Sequence, residues 1–359
     1  MVYHLSTALG HFANTHLRVL LVCCYNKCME KQIDFLAIGD LVVDDFIRLN
    51  DAEATCDLDQ ENCRLCVRFG DKVPYEFHEV LYAVGNSGNA AVSASRLGLR
   101  SAHHAMVGND ELGKKCIETQ ISDNVVADYI QIDPKLWTNY HYVLWYGPER
   151  TILVNHAPYE KHLPKNLAVP KWIYLTSLGE NTEDFHHEIY TWLNEHPETK
   201  LAFQPGTFQM KLGKEKLSDI YSRAEIFFCN TDEAQRILGI KELDPKILMD
   251  SLHALGPKIV VVTDGIKGAY AREENGSMWF MPTYPHTPIE RTGAGDSYSS
   301  TITSCLAMGK TLDEALLWAP INAMSVTQFV GAQKGLLTQD KIKEYLDKAP
   351  DDYKPKRIN

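Results

Sequence analysis

The chain has 359 residues, 45% of them hydrophobic, long enough to bury a sizeable core. Its 36 Lys and Arg stand against 47 Asp and Glu, a formal net charge of −11, and so acidic a surface argues against nucleic acid or an anionic membrane as the main partner. The nine cysteines, an odd number without a regular framework, fit a reducing compartment and buried thiols, and predict a cytoplasmic protein.

Residues 1–28 differ from the rest of the chain. Their apolar run at 17–25 is too short to span a bilayer, and no small-residue cleavage site comes after it, so a peripheral N-terminal extension is expected there. No later stretch is long and apolar enough to cross a membrane, which predicts no membrane partner. Residues 33–39 read as a buried strand ending in a turn. Val42-Val43-Asp44-Asp45-Phe46-Ile47 continues in alternation, with Asp44 and Asp45 on opposite faces and Asp45 the solvated one. Cys63-Arg64-Leu65-Cys66, with Cys56 upstream, has half of a zinc spacing, and no second pair or nearby His completes it.

Short strand-like runs at 64–69 and 75–81 flank Gly70-Asp71, and runs at 140–146 and 151–155 flank Gly147-Pro148-Glu149-Arg150. Each pair predicts an antiparallel ribbon, since no helix separates its members. Between them, Val84-Gly85-Asn86-Ser87-Gly88-Asn89-Ala90-Ala91 opens a helix that stops at Gly98, and Val107-Gly108-Asn109-Asp110-Glu111-Leu112-Gly113 comes at the end of a strand at 102–107. Further buried strands are expected at 172–176, 201–204, 226–229 and 259–263, with helices such as 232–238 and 245–255 between them. That alternation predicts a largely parallel sheet covered on both faces, with ligands beyond the carboxyl ends of its strands. His103-His104 and His186-His187 are pairs without partners at ligand spacing and read as satisfied or surface histidines.

Cys229-Asn230-Thr231-Asp232-Glu233 ends a strand and starts a helix, with Asn230 and Glu233 spaced as a capping box. Thr263-Asp264-Gly265-Ile266-Lys267-Gly268 is a loop after another strand. The most informative stretch is Thr292-Gly293-Ala294-Gly295-Asp296-Ser297, which runs into a helix-like segment. Small residues leave the backbone bare where unpaired N–H groups and the positive end of the dipole hold an anion, and Asp296 adds a carboxylate at the edge. Phosphoryl transfer needs charge stabilisation, alignment and a base for the acceptor hydroxyl, and this turn offers all three. Gly-x-x-x-x-Gly-Lys-Ser/Thr and Gly-x-Gly-x-x-Gly, the marks of P-loop kinases and dinucleotide oxidoreductases, are absent.

In this order, these segments resemble the PfkB carbohydrate kinase family, the ribokinase-like fold that includes ribokinase, fructokinase and adenosine kinase. The resemblance implies a three-layer α/β/α sandwich, with a kinase domain over 29–350, β-lid segments near 49–82 and 137–157, and a C-terminal tail at 351–359. It implies an ATP- and Mg2+-dependent kinase of a small sugar, with a nucleoside as the alternative acceptor and a non-catalytic sugar- or nucleotide-binding module behind both. Asp296 becomes the catalytic base, and the amides of Gly293, Ala294 and Gly295 the anion hole. Asp44, Gly85 and Asn89 fall to substrate binding. Asn230, Thr263, Gly265, Gly268, Thr292 and Asn322 fall to the nucleotide, and Glu233 to the metal. Val84-Gly85 departs from the family's two glycines. Glu290-Arg291 stands where many members read Asp-Thr, whose Asp helps build a monovalent-cation site, so such a cation stays open. A lid with exposed strand edges suits pairing with a second copy.

Overall fold

The computed structural model describes residues 32–56, 63–147 and 149–359. The extension expected at 1–28 lies outside the described residues. The chain from Ile33 to Asn359 forms one compact unit.

The described chain opens with β1 (Phe35–Ile38), β2 (Val42–Leu49), β3 (Glu53–Thr55), β4 (Arg64–Cys66), β5 (Tyr75–Val84) and helix α1 (Asn86–Arg96). Next come β6 (Ser101–Gly108), α2 (Glu111–Ser122), β7 (Ile130–Asp133), β8 (Tyr140–Tyr146), β9 (Glu149–Leu153), β10 (Trp172–Leu175), α3 (Glu183–Glu195) and β11 (Lys200–Phe203). After them stand α4 (Thr207–Leu212), α5 (Ser218–Arg223), β12 (Ile226–Asn230), α6 (Thr231–Leu238), α7 (Pro245–His253), β13 (Ile259–Thr263), β14 (Ala269–Arg272) and β15 (Met278–Met281). The chain closes with α8 (Ala294–Ala307), α9 (Leu312–Val326), α10 (Gln339–Leu346) and β16 (Lys356–Arg357).

The main sheet runs β16-β15-β14-β13-β12-β11-β10-β1-β6-β7, parallel from β13 through β7 and antiparallel at the β14 to β16 edge. Its inner strands β1, β10, β12 and β13 are largely apolar because both faces are covered, while β6 carries His103 and His104 within it. Successive side chains alternate between two cores: Phe35, Trp172 and Tyr174 join α1, α8 and α9 on one side, while Leu36, Ile173 and Leu175 join α3, α5 and α7 on the other. The segment expected as a tail therefore ends in β16, which pairs with β15.

A second sheet, β5-β2-β8-β9, stands apart as the lid. The ribbon expected across Gly147 is present, with Tyr142 opposite Leu153 and Tyr146 opposite Glu149. The other ribbon pairs differently: β4 joins β3, and β5 joins β2 from Val84 opposite Val42 to Tyr75 opposite Leu49. Gly70 does adopt the left-handed turn, at φ 73. The ten-residue β5, however, finds in the eight-residue β2 a longer partner than the three-residue β4. The expectation of thiols alone also fails at Cys56 and Cys63, which form a disulfide. Thr55 opposite Arg64 puts the next residues out, Cys56 and Cys63, across from one another. Cys116, Cys229 and Cys305 are buried thiols, and Cys66 is exposed. His103, His104 and His186 are buried with partners in Ser87, the Tyr129 carbonyl and the Thr182 carbonyl. Among the described residues no helix is long and apolar enough to cross a membrane.

Candidate active site

The glycine turn at 293 works because no other residue fits it. Gly293 caps α8 in the left-handed region at φ 77, and a Cβ there would overlap Ala332. The first turn of α8 then opens with N–H groups that have no partner within the helix. A Cβ on Gly295 would find its nearest neighbour, Gln204 Nε2, 3.9 Å away, so the space over this turn is free. Asp296 sits in that turn, 7% exposed.

Three side-chain amides hold its carboxylate. Asn86 donates to Oδ1 at 2.9 Å, Gln204 to Oδ1 at 3.2 Å and Asn89 to Oδ2 at 2.8 Å. The ionised Asp296 carboxylate only accepts, so each NH2 faces it; behind them Gln333 donates to Asn89 Oδ1 at 3.1 Å, and the Tyr174 and Ser299 hydroxyls lie against Gln204 Oε1. Burial raises the Asp296 pKa above its ordinary value, and the hydrogen bonds from Asn89, Gln204 and Asn86 hold that rise in check, with Arg150 adding its charge.

On the nucleotide side the residues expected from separate motifs come together. Asn230, Thr263, Gly265, Gly268, Ala294 and Gly295 line one cavity of about 580 Å³, with Ile266, Tyr298 and Met324 supplying apolar wall. Asn230 and Glu233 form the capping box: Asn230 Oδ1 accepts from the Glu233 N–H at 2.8 Å, and Glu233 Oε2 accepts from the Asn230 N–H at 2.9 Å. Burial raises the Glu233 pKa, and the charge of Asp296 raises it further, which puts two carboxylates within electrostatic reach.

Asn322 does not reach this cavity. It is fully buried, donates to Thr301 Oγ1 at 2.8 Å and accepts from the Leu337 N–H at 2.8 Å. Pro320, Ala323 and Met324 form the cavity face of α9 instead, with its cap Thr327. A helix turns about 100° per residue, so an error of one position moves a side chain off a face. Thr292 donates its N–H at 2.7 Å, and its hydroxyl, to Glu290 Oε1. Glu290 is 4% exposed and also takes Arg150 Nη1 from the lid at 3.2 Å, with Oε2 left buried and unpartnered.

On the opposite side lie Asp44, Gly85 and Asn89. Gly85 has φ 92, and a Cβ there would press on the Asp40 carbonyl at 2.8 Å. Asp44 and Asp45 are both buried, against the expectation of a solvated Asp45. β2 lies between β5 and β8 in the lid sheet, and side chains of these two flanking strands cover Asp45: His78 Nδ1 lies 3.0 Å from its carboxylate and the Tyr140 hydroxyl 3.2 Å. The lid aromatics pack on one another: Phe77 meets Trp145 edge-on at 6.1 Å, Arg48 lies 4.4 Å over Trp145, and Tyr75 meets His78.

Asn86, Gln204, Gln333 and Arg150 are the residues that sequence reasoning missed. Asn86 alone carried a signal, as a polar residue directly after Gly85 in a helix's first turn. The others are ordinary polar residues until the fold brings them in.

The family model described as pfkB family carbohydrate kinase matches residues 49–339. A ribokinase of Bacillus subtilis is 27% identical over 280 residues, covering 73% of this chain and 87% of its own length. An ATP-dependent 6-phosphofructokinase of Thermoanaerobacterium thermosaccharolyticum is 23% identical over 341 residues, covering 89% of this chain and 95% of its own. The solved structure of Arabidopsis thaliana ribokinase complexed with ribose and ATP is similar at a TM-score of 0.72 and 17% identity, covering 88% of this chain and 99% of that one. At that identity the likeness shows the fold.

Proposed function

The chain belongs to the pfkB family of carbohydrate kinases, and from that premise we propose that it transfers the γ-phosphoryl group of ATP to a hydroxyl of a small sugar. One observation carries the reading: Asp296 stands in the first turn of α8, next to Ala294 and Gly295, which line the 580 Å³ cavity, with three amides favouring its ionised form.

Each role rests on the geometry. The cavity takes the nucleotide, with Gly265 and Gly268 lining its floor and the first-turn amides meeting the transferred phosphate. Asp296 accepts the proton of the attacking hydroxyl, and Asn86, Asn89 and Gln204 aim its oxygens. Arg150 reaches the edge of the anion site from the lid and adds positive charge there. The β2, β5, β8 and β9 sheet shields the acceptor from water, which otherwise competes for the phosphoryl group.

The donor set fits Mg2+. Asn230 and Asp232 line the cavity, and Glu233, which follows them in the first turn of α6, is a partly buried carboxylate whose charge a cation would neutralise. Bound there with ATP, the ion supplies neutralising charge on the phosphates. In Glu233→Gln the side-chain carbonyl still accepts from Asn230, so the cap and the fold persist. The expected result is a loss of apparent Mg2+ affinity by about tenfold or more, read from the Mg2+ dependence of turnover.

A sugar stands ahead of a nucleoside because the aromatics that would stack a base are engaged with one another. Coupled ADP assays over pentoses, hexoses, adenosine, inosine and cytidine test this reading; stimulation by nucleosides alone would reverse the order. The outer edge of β9 is the place for a second copy, with Ile152 and Leu153 exposed beside it, and sedimentation at micromolar concentration is expected to give the mass of two chains.

A further inference from the structure

Among the described residues Cys56 and Cys63 form the only disulfide, and it stands where the fold has least else to hold it. Cys116, Cys229 and Cys305 lie as thiols inside the three cores, so the bond is not part of a stabilising framework. Both of its cysteines are exposed. They lie at the far end of the β3–β4 ribbon, one step beyond the pair of Thr55 and Arg64. An exposed bond of this kind is open to exchange with thiols in solution.

The ribbon depends on it. It consists of three residue pairs, and only Leu65 among its residues is half-buried, the others being exposed. A two-stranded ribbon without apolar cover is marginal in water. A cross-link at its end removes unfolded conformations and holds it together, and cutting the link releases it. At its other end the connecting segments are clasped, with Arg68 2.6 Å from the Asp51 carboxylate and 3.1 Å from that of Asp71. Beyond the clasp, Leu49 faces Tyr75 in the outermost pair of β2 and β5. The bond thus lies in line with the outer end of the lid.

The exposed Cys66 thiol takes no part. It stands three residues from Cys63 along extended chain, about 10 Å away and on the other face, whereas a disulfide spans at most about 7 Å between Cα atoms. The reductant therefore comes from solution, and two thiols are needed. A first thiolate attacks one sulfur of the pair, the S–S bond breaks, and the partner cysteine leaves as a thiolate that takes a proton from water. A second thiolate, from another monothiol or from the same dithiol, attacks the mixed disulfide and releases the other cysteine. Two electrons pass to the protein and the reagent becomes a disulfide; a disulfide reagent takes them back by the reverse path.

We infer that Cys56 and Cys63 are a reversible redox site, opened by thiol reductants and closed by disulfide oxidants, whose closure orders the β3–β4 ribbon and with it the outer end of the lid. The redox chemistry is independent of phosphoryl transfer, and only its kinetic consequence rests on the kinase reading. The full-length protein is equilibrated across ratios of reduced to oxidised glutathione, alkylated and mapped by mass. Cys56 and Cys63 are expected to pass together from bonded to alkylated within that range, reversibly, in the wild type and in Cys66→Ser alike. Amide hydrogen exchange at 53–55 and 64–66 is expected to speed by about tenfold or more on reduction, and Cys63→Ser to exchange at the reduced rate in both conditions. In a coupled ADP assay the acceptor KM is expected to rise by about fivefold or more on reduction while the KM for ATP stays unchanged.

A bond that stays closed at every ratio, or two thiols that never pair, overturns the site. Equal amide exchange in the two forms, or an acceptor KM that does not move between them, overturns the link to the ribbon and the lid. Absence of transfer in both forms overturns the kinase reading instead, and the mass map and exchange rates still decide the redox site.

Discussion

Asp296→Asn is expected to lower kcat by about 10²- to 10⁴-fold while ATP still binds, because the substitution removes the proton acceptor and leaves the Gly293 turn in place. The fold tolerates it unevenly. A carboxylate accepts from Asn86, Gln204 and Asn89 together, whereas the amide of Asn has one oxygen and must point its NH2 at another donor. Reading kcat and ATP affinity separately keeps the two effects apart; a mutant with wild-type kcat would remove Asp296 from the mechanism.

The pH dependence has a defined sign. Burial raises the Asp296 pKa, so the folded state favours the protonated acid. Its contribution to stability is present below the unfolded-state pKa and is lost as pH rises through the higher folded-state value. Activity runs the other way: turnover needs the carboxylate and falls as pH drops through the folded-state value. The acid limb of the pH–rate profile is therefore expected at a higher pH than an unperturbed aspartate would give, where Asp296 no longer stabilises the fold.

Alanine at two neighbouring glycines is expected to have opposite consequences. Gly293→Ala forces a side chain into a left-handed turn and into Ala332, and it should destabilise the protein by roughly 2–4 kcal/mol, seen as a lowered unfolding midpoint. Gly295→Ala meets nothing closer than 3.9 Å, so the midpoint should hardly move. Its methyl group instead occupies the space above the first-turn amides. Loss of one such donor's access is expected to cost about 10²- to 10³-fold in kcat. Full activity in Gly295→Ala with an unchanged midpoint would mean that the transferred phosphate sits elsewhere.

What could be read from the sequence was what the chain writes within a few residues. The turn at 292–297 and the Asn230 to Glu233 box depend on i to i+3 relations, and both keep their expected local form. The parallel sheet was legible because strands buried on both faces must be apolar runs. The support of the base was not. Asn86 reaches Asp296 across 210 positions, Gln204 across 92, and Gln333 reaches Asn89 across 244. Nothing in the local pattern of an Asn or Gln announces such a partner.

The lid failed in part for a related reason. Gly70 marks a turn, but strand pairing is decided by which partner offers the longer ladder, and β2 lies well before β5 in the chain. Asp45 alternates as expected and is buried all the same, because His78 and Tyr140 on the flanking strands β5 and β8 close over it. Asn322 failed by helical phase, its amide spent on Thr301 and Leu337 instead of the cavity.

The central claim is that the bare first turn of α8 and the carboxylate beside it pass a phosphoryl group to an alcohol. It is tested most directly by tracing the label of γ-³²P-ATP in the presence of the preferred acceptor. Label is expected to leave ATP for the acceptor in equal amount to the ADP formed, with little inorganic phosphate. Label released only as inorganic phosphate, at a rate the acceptor does not change, would contradict the claim.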